Sequence, residues 1–140
     1  MQVGGTQTEL LLEVSLSAVP ASCARARDEI GMALEGLALD VGRVALAISE
    51  AVTNAVVHAY RHREIPHADD RVNLRVTADA DGVWIAVTDE GVGMAPRDDS
   101  PGLGLGLSII AKLADQLLIV QGEPGTRVHM RFSFVPDDPQ

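Results

Sequence analysis

Residues 126–135 alternate without a break. Val128, Met130, Phe132 and Phe134 fall on one side, Arg127, His129, Arg131 and Ser133 on the other. Strand side chains repeat every two residues, so such a run has one face for a core and one for water. The pattern recurs at 9–17, where Leu10, Leu12, Val14 and Leu16 oppose Glu9, Glu13 and Ser15. It recurs again at 71–77, where Val72, Leu74 and Val76 oppose Arg71, Asn73, Arg75 and Thr77. Val83, Ile85 and Val87 carry it on to Asp89, after an Asp81-Gly82 pair that signals a hairpin. One-faced strands of this kind call for an antiparallel sheet covered on a single side.

Helical segments supply the cover. Pro20 suits a first helical turn and opens a helix to about residue 35, with Gly36 at its end. Asp40 reads as the N-cap of a second helix over 41–62, whose apolar set includes Val41, Val44, Ala45, Ile48, Val52, Ala55 and Val56. A polar loop at 94–101 precedes a third helix over 103–115. A strand at 117–121 follows, then the turn Gly122-Glu123-Pro124-Gly125. The order is strand, two helices, two strands, helix, two strands. It predicts an α+β two-layer sandwich, a mostly antiparallel sheet covered on one face by helices. One domain spans 8–135, with a flexible leader at 1–7 and a frayed tail at 136–140.

Composition narrows the function. Aromatic residues make up 3% of the 140, so Leu, Val, Ile and Ala must fill the core. The single Cys23 leaves no intrachain disulfide. The sequence shows no membrane-length apolar run and no signal peptide, and a cytoplasmic protein is expected. The net charge of −9 argues against direct nucleic-acid binding. An acidic chain that binds a polyphosphate needs Mg²⁺, backbone amides and a helix N-terminus.

Three short motifs then stand out. Glu50, Asn54 and His58 are four apart on the second helix and share one stripe. Asn offers an oxygen to a hard cation, and Glu can orient or deprotonate a nucleophile. By period two, Asp89 lies on the covered face of its strand. A carboxylate there needs a donor, which an adenine amino group supplies. Gly91 and Gly93 allow the backbone beyond it to turn close to a flat base. Gly102, Gly104 and Gly106, interleaved with Leu103 and Leu105, open the third helix and suit a phosphate cradle. No Gly-Lys-Ser/Thr follows, so this is not a Walker loop. Thr126 begins the last strand on its inward face, within reach of an adenine edge. Arg97 is the only cation of the 94–101 loop.

In this order the pieces resemble the ATP-binding domain shared by gyrases, sensor histidine kinases, heat-shock chaperones of the ninety-kilodalton class and mismatch-repair ATPases. The run from Ile48-Ser49-Glu50 through Asn54 to His58-Ala59-Tyr60 is similar to the first box of the anti-sigma-factor kinases. That resemblance implies a histidine-kinase-type ATPase fold, ATP and Mg²⁺ as cofactors, Glu50 as catalytic base and Asn54 as metal ligand. It implies adenine contacts at Asp89, Gly91, Gly93 and Thr126, and phosphate contacts at Gly102, Gly104, Leu105 and Gly106. It also implies two partners, a sigma factor and an antagonist protein phosphorylated on serine, and a homodimer. The alternative is a non-catalytic ATP-binding switch that acts by binding alone. The outer sheet face is expected to expose Trp84 and Leu11 among arginines. That suits either a dimer or partner surface, or a Trp covered by Arg stems.

Overall fold

The computed structural model describes residues 7–59, 70–90, 101–121 and 125–136; its described side chains exclude those of 58, 59, 101–106 and 121. The alternating segments become strands β1 (Glu9–Ser17), β2 (Arg71–Ala78), β3 (Gly82–Asp89), β4 (Gln116–Gln121) and β5 (Thr126–Ser133). Among the described residues they form one sheet in the order β1-β2-β3-β5-β4, antiparallel at every junction. Helices α1 (Ser22–Ala33), α2 (Val41–Asn54) and α3 (Pro101–Leu113) make the second layer, with α2 packed between the other two. The expected α+β sandwich is therefore observed. No helix among the described residues is long and apolar enough to cross a membrane.

The core lies between the layers. Val72, Leu74, Val76, Val83, Ile85, Val128 and Met130 are fully buried from the sheet, and Ala26, Ala47, Ile48, Val52 and Ile110 from the helices. The β5 alternation is followed through Phe132, and Phe134 packs at the core's margin just past the strand.

Several local expectations are corrected. A register shift between Leu10 and Leu12 puts Leu10 opposite Thr77, on the outer face, instead of in line with Leu12, Val14 and Leu16. The extra residue, Leu11, packs partly against the core and is not displayed outward. Helix α1 starts at Ser22, because the carbonyls of Val19 and Pro20 are taken by a tight turn to Ser22 and Cys23. Beyond its end the chain turns through Gly36, whose φ of 85° suits glycine. Asp40 does cap α2, accepting from the Arg43 amide at 3.2 Å. That helix does not run on regularly: after Asn54 it widens into a π-helical turn, Ala55–Ala59. Four β-branched residues in six, Val52, Thr53, Val56 and Val57, weaken α-helical packing there. Residues 60–62, residues 1–6 of the 1–7 leader, residues 137–140 of the 136–140 tail and most of the 122–125 turn lie outside the described residues.

The β2–β3 hairpin forms, but Asp79 organises it. Its Oδ1 accepts from the amides of Asp81 and Gly82 at 2.8 and 3.0 Å, and Arg131 of β5 donates two bonds to the same carboxylate at 2.8 and 3.0 Å. The Arg131 hydrogen bonds, then the Asp81 amide, hold this carboxyl down at about 2. Gly82 is required for a different reason than a left-handed turn. A Cβ there would overlap the Phe132 carbonyl oxygen and lie 2.9 Å from the Ser133 Cα.

On the outer face Trp84 is half-buried. The Arg131 guanidinium lies 5.7 Å from its ring centroid and the His129 ring meets it edge-on at 6.4 Å. Burial, then the Arg127 charge, push His129 below its ordinary value, so its imidazole is neutral at neutral pH.

The Asp79–Arg131 clamp sets an acid dependence. The folded value of about 2 lies below the ordinary 3.8, so the clamp's contribution is complete above pH 3.8 and is lost as pH falls toward 2. Urea midpoints measured across that window should fall for the wild type. Asp79→Asn should show a lower midpoint at neutral pH and a shallower fall on acidification.

Candidate functional site

Helix α2 buries Val44, Ala47, Ile48, Ala51 and Val52 against the sheet. Packing that face fixes the helix's rotation, and Glu50 and Asn54 follow from it. Glu50 is half-buried on the flank, and Asn54, one turn later, is 4% exposed. The Asn54 Nδ2 atom is fully buried and has no hydrogen-bond partner among the described residues. A buried amide left unpaired costs about 1–3 kcal/mol. The same amide carries an oxygen able to face a cation.

The π-helical turn that follows Asn54 packs on β3. Strand β3 ends at Asp89, 2% exposed and on the same face as Val83, Ile85 and Val87, as period two requires. The β3–β5 register pairs Thr88 with Arg127. One step further sets Asp89 beside Thr126, which is 1% exposed. Two buried polar side chains thus meet at one end of the sheet, on the helix-covered side.

Gly125 makes this meeting possible, and nothing in its sequence context distinguished it from an ordinary turn glycine. A Cβ there would overlap the Asp89 carbonyl oxygen and lie 2.7 Å from the Glu90 Cα. A polar seam between α1 and α2 also escaped the sequence reading. Cys23 Sγ lies 3.5 Å from Thr53 Oγ1, and Arg27 donates to Ser49 Oγ at 3.1 Å. These are two rungs of antiparallel helices, beside the Glu50–Asn54 stripe.

Other expected site residues stand differently. His58 lies inside the π-helical turn, and its side chain is outside the described residues. Gly91, Gly93 and Arg97 also lie outside them. Gly102, Gly104 and Gly106 fall within the first two turns of α3, which starts at Pro101 and not at 103. Proline's fixed φ suits that first position. Leu105 lies on the same stretch of backbone. Each glycine costs the helix roughly 0.5–1 kcal/mol relative to alanine. Among the described residues no group of three or more His, Cys, Asp or Glu could hold a metal.

A two-layer sandwich with buried polar groups at the sheet end, beneath a helix carrying a Glu/Asn stripe, defines a class. Residues 16–132 match the histidine kinase-like ATPase domain, and the chain belongs to that family. Within it the chain groups with the anti-sigma factors. It is 33% identical over 107 residues to the anti-sigma F factor of Clostridium botulinum, covering 68% of this chain and 72% of that protein. To the serine-protein kinase RsbW of Staphylococcus aureus it is 28% identical over 103 residues, 65% of this chain and 64% of that one. A crystal structure of the RsbU and RsbW domains of a Mycobacterium tuberculosis protein matches its fold with a TM-score of 0.55 at 24% identity. That match covers 90% of this chain and 34% of the other, so this chain spans about a third of it.

Gly125→Ala tests the sheet end. Forcing a methyl against the Asp89 and Glu90 backbone should cost about 1–3 kcal/mol in urea denaturation. It should also shift the amide resonances of Asp89 and Thr126 more than those of residues near Asp79. A variant as stable as wild type with unmoved resonances would contradict this packing.

Proposed function

We propose that this protein is an ATP-dependent serine/threonine kinase that acts as an anti-sigma regulatory factor in the cytoplasm. It would bind a sigma factor and phosphorylate a serine of the antagonist protein. The observation that carries the reading is the buried, partnerless amide of Asn54, one turn from Glu50. What further supports it is the family and the anti-sigma factor and serine-protein kinase relatives.

The residues fit Mg·ATP. Asn54 would turn its amide oxygen to Mg²⁺, a cation that takes few protein ligands and completes its shell with phosphates and water. Asp89 would accept from the adenine amino group, with Thr126 beside it and Gly91 and Gly93 shaping that wall. Gly102, Gly104, Leu105 and Gly106 would present backbone amides to the phosphates, with Arg97 as the loop's cation and His58 near the nucleotide. Bound Mg²⁺ supplies neutralising charge at the phosphate oxygens.

Glu50 would act on the acceptor. Its carboxylate takes the proton of the serine hydroxyl as the serine oxygen bonds to the γ-phosphorus. The bond from that phosphorus to the bridging oxygen breaks, and ADP leaves. The family resemblance adds a homodimer to this reading. A protein that binds ATP and regulates its partner without transfer is the second reading. The half-buried carboxylate on the Asn54 stripe favours transfer.

Two variants separate these readings. Asn54→Ala should weaken Mg²⁺-dependent ATP binding at least tenfold, about 1.4 kcal/mol, in titration calorimetry. Because it removes an unpaired buried amide, its stability should stay within about 1 kcal/mol of wild type. Glu50→Gln should keep ATP binding and lose at least a hundredfold in phosphate transfer. ATP binding unchanged in Asn54→Ala would count against the metal role. Transfer unchanged in Glu50→Gln would count against the base.

A further inference from the structure

The outer face of the sheet is charged unlike the rest of the chain. Its strands turn Arg71, Arg75, Arg127 and Arg131 outward, and Glu13 is the one carboxylate among their outward partners in the register. The sequence as a whole holds 20 acidic residues against 11 basic ones, so this is a basic face on an acidic protein. Arg75 is bonded to Glu13 at 2.6 Å, Arg131 to Asp79 at 2.8 Å, and Arg71 to the hydroxyls of Ser15 and Ser17. Arg127 is exposed and makes no ion pair or side-chain hydrogen bond to a described residue. The register sets it in one row with Asn73 and Thr88, whose side chains are likewise unbonded among the described residues. This row crosses a trough of about 740 Å³, lined by the short side chains of Ser15, Asn73, Ala86 and Thr88 and by Arg75 and Arg127. On the adjoining edge strand, Leu118 and Val120 pair with His129 and Arg127 and are 54% and 44% exposed. Trp84 is not part of the trough, its ring being met by Arg131 and His129.

We infer that this trough docks an acidic segment of a partner protein, with carboxylates on Arg127, Thr88 and Asn73 and apolar side chains on Leu118 and Val120. Charge identifies the occupant. A guanidinium, a hydroxyl and an amide in one row offer the donors that a carboxylate accepts from. Elsewhere the acidic excess of the chain repels an acidic partner, so attraction is confined to this face and fixes the orientation of docking. A second copy fits less well, because stacking two such faces sets arginines against arginines with one glutamate on each side to offset them. Duplex nucleic acid calls for a run of free cations, and two of these four arginines are already held in ion pairs. Thr88 and Arg127 are chain neighbours of Asp89 and Thr126, and successive strand residues point to opposite faces. The trough therefore lies directly behind the buried polar end of the sheet. Docking there requires no nucleotide and is independent of the kinase reading.

The test uses the full chain, labelled with ¹⁵N and free of nucleotide, and two synthetic peptides. One is acetyl-Gly-Glu-Leu-Glu-Glu-Leu-Glu-Gly-amide, and the other carries Lys in place of each Glu. The Glu peptide should shift the amide resonances of Asn73, Thr88, Arg127 and Val120 more than those of α1 and α2. It should bind at least tenfold more tightly than the Lys peptide, and its affinity should fall as salt is raised. Arg127→Glu should weaken it at least tenfold, and Arg127→Lys, which keeps the charge, should retain binding. Arg25→Glu makes the same change of charge on exposed α1 and should leave affinity within about twofold of wild type. The ¹⁵N spectrum of each variant shows directly that it is folded. Equal weakening by Arg25→Glu would mean that net charge alone is read, and would overturn the inference. So would shifts centred on the helices, equal binding of the Lys peptide, or binding of neither. Inorganic phosphate reproducing the same shifts at equal affinity would replace the segment with a simple anion. Concentration-dependent self-association that moves the same amides without peptide, and is lost in Arg127→Glu, would give the face to a second copy instead.

Discussion

The seating of α2 on the sheet is the constraint on which the site depends. Its buried face combines Ile48 and Val52 with the small residues Ala47 and Ala51, so the helix lies close over β-strand side chains. Burying one such branched side chain contributes about 1.5–3 kcal/mol. Several act together, against a cost of about 1–3 kcal/mol for one unpaired amide. Core packing therefore sets the rotation of α2. Asn54 is carried inward and Glu50 to the flank because the apolar residues decide, and the polar ones take the positions left over.

The β3–β5 pair carries a different polar arrangement at each of its two ends. At one end Asp79 and Arg131 close a fully bonded clamp, with Gly82 giving the backbones room. At the other end Gly125 gives the same room, and the residues brought together are Asp89 and Thr126. Both glycines answer cross-strand crowding. The antiparallel register makes the two ends copies of one geometric problem, solved with an ion pair at one and buried polar side chains at the other.

Much of this was legible in the sequence, because period two and period 3.6 are carried by side-chain identity. The covered face of β5, the Asp40 cap and the inward Asp89 all follow from that. What escaped depends on partners distant in the chain. The register shift at Leu10 arises from how β1 meets β2, and β1's own alternation gives no sign of it. Asp81-Gly82 located the hairpin correctly, but the residue that builds it is Asp79, through an arginine 52 positions away. Gly125 looked like any turn glycine until Asp89 was placed behind it. The regular helix expected over 41–62 gives way after Asn54 to a π-helical turn, a change that its apolar periodicity does not show.

The departures from ideal structure are concentrated rather than scattered. The unpaired Asn54 amide, the π-helical turn directly after it and the three glycines in the opening turns of α3 each weaken the fold locally. All three belong to the elements that carry the proposed nucleotide residues. The Asp79 end of the sheet shows the opposite character, with its carboxylate oxygens bonded to the guanidinium and to two amides. Costs placed at random would have fallen on both ends. Their clustering is what a binding site requires, since groups that a ligand is to satisfy have to be left unsatisfied by the chain. The Asp79 end holds the frame in which those local departures stay ordered.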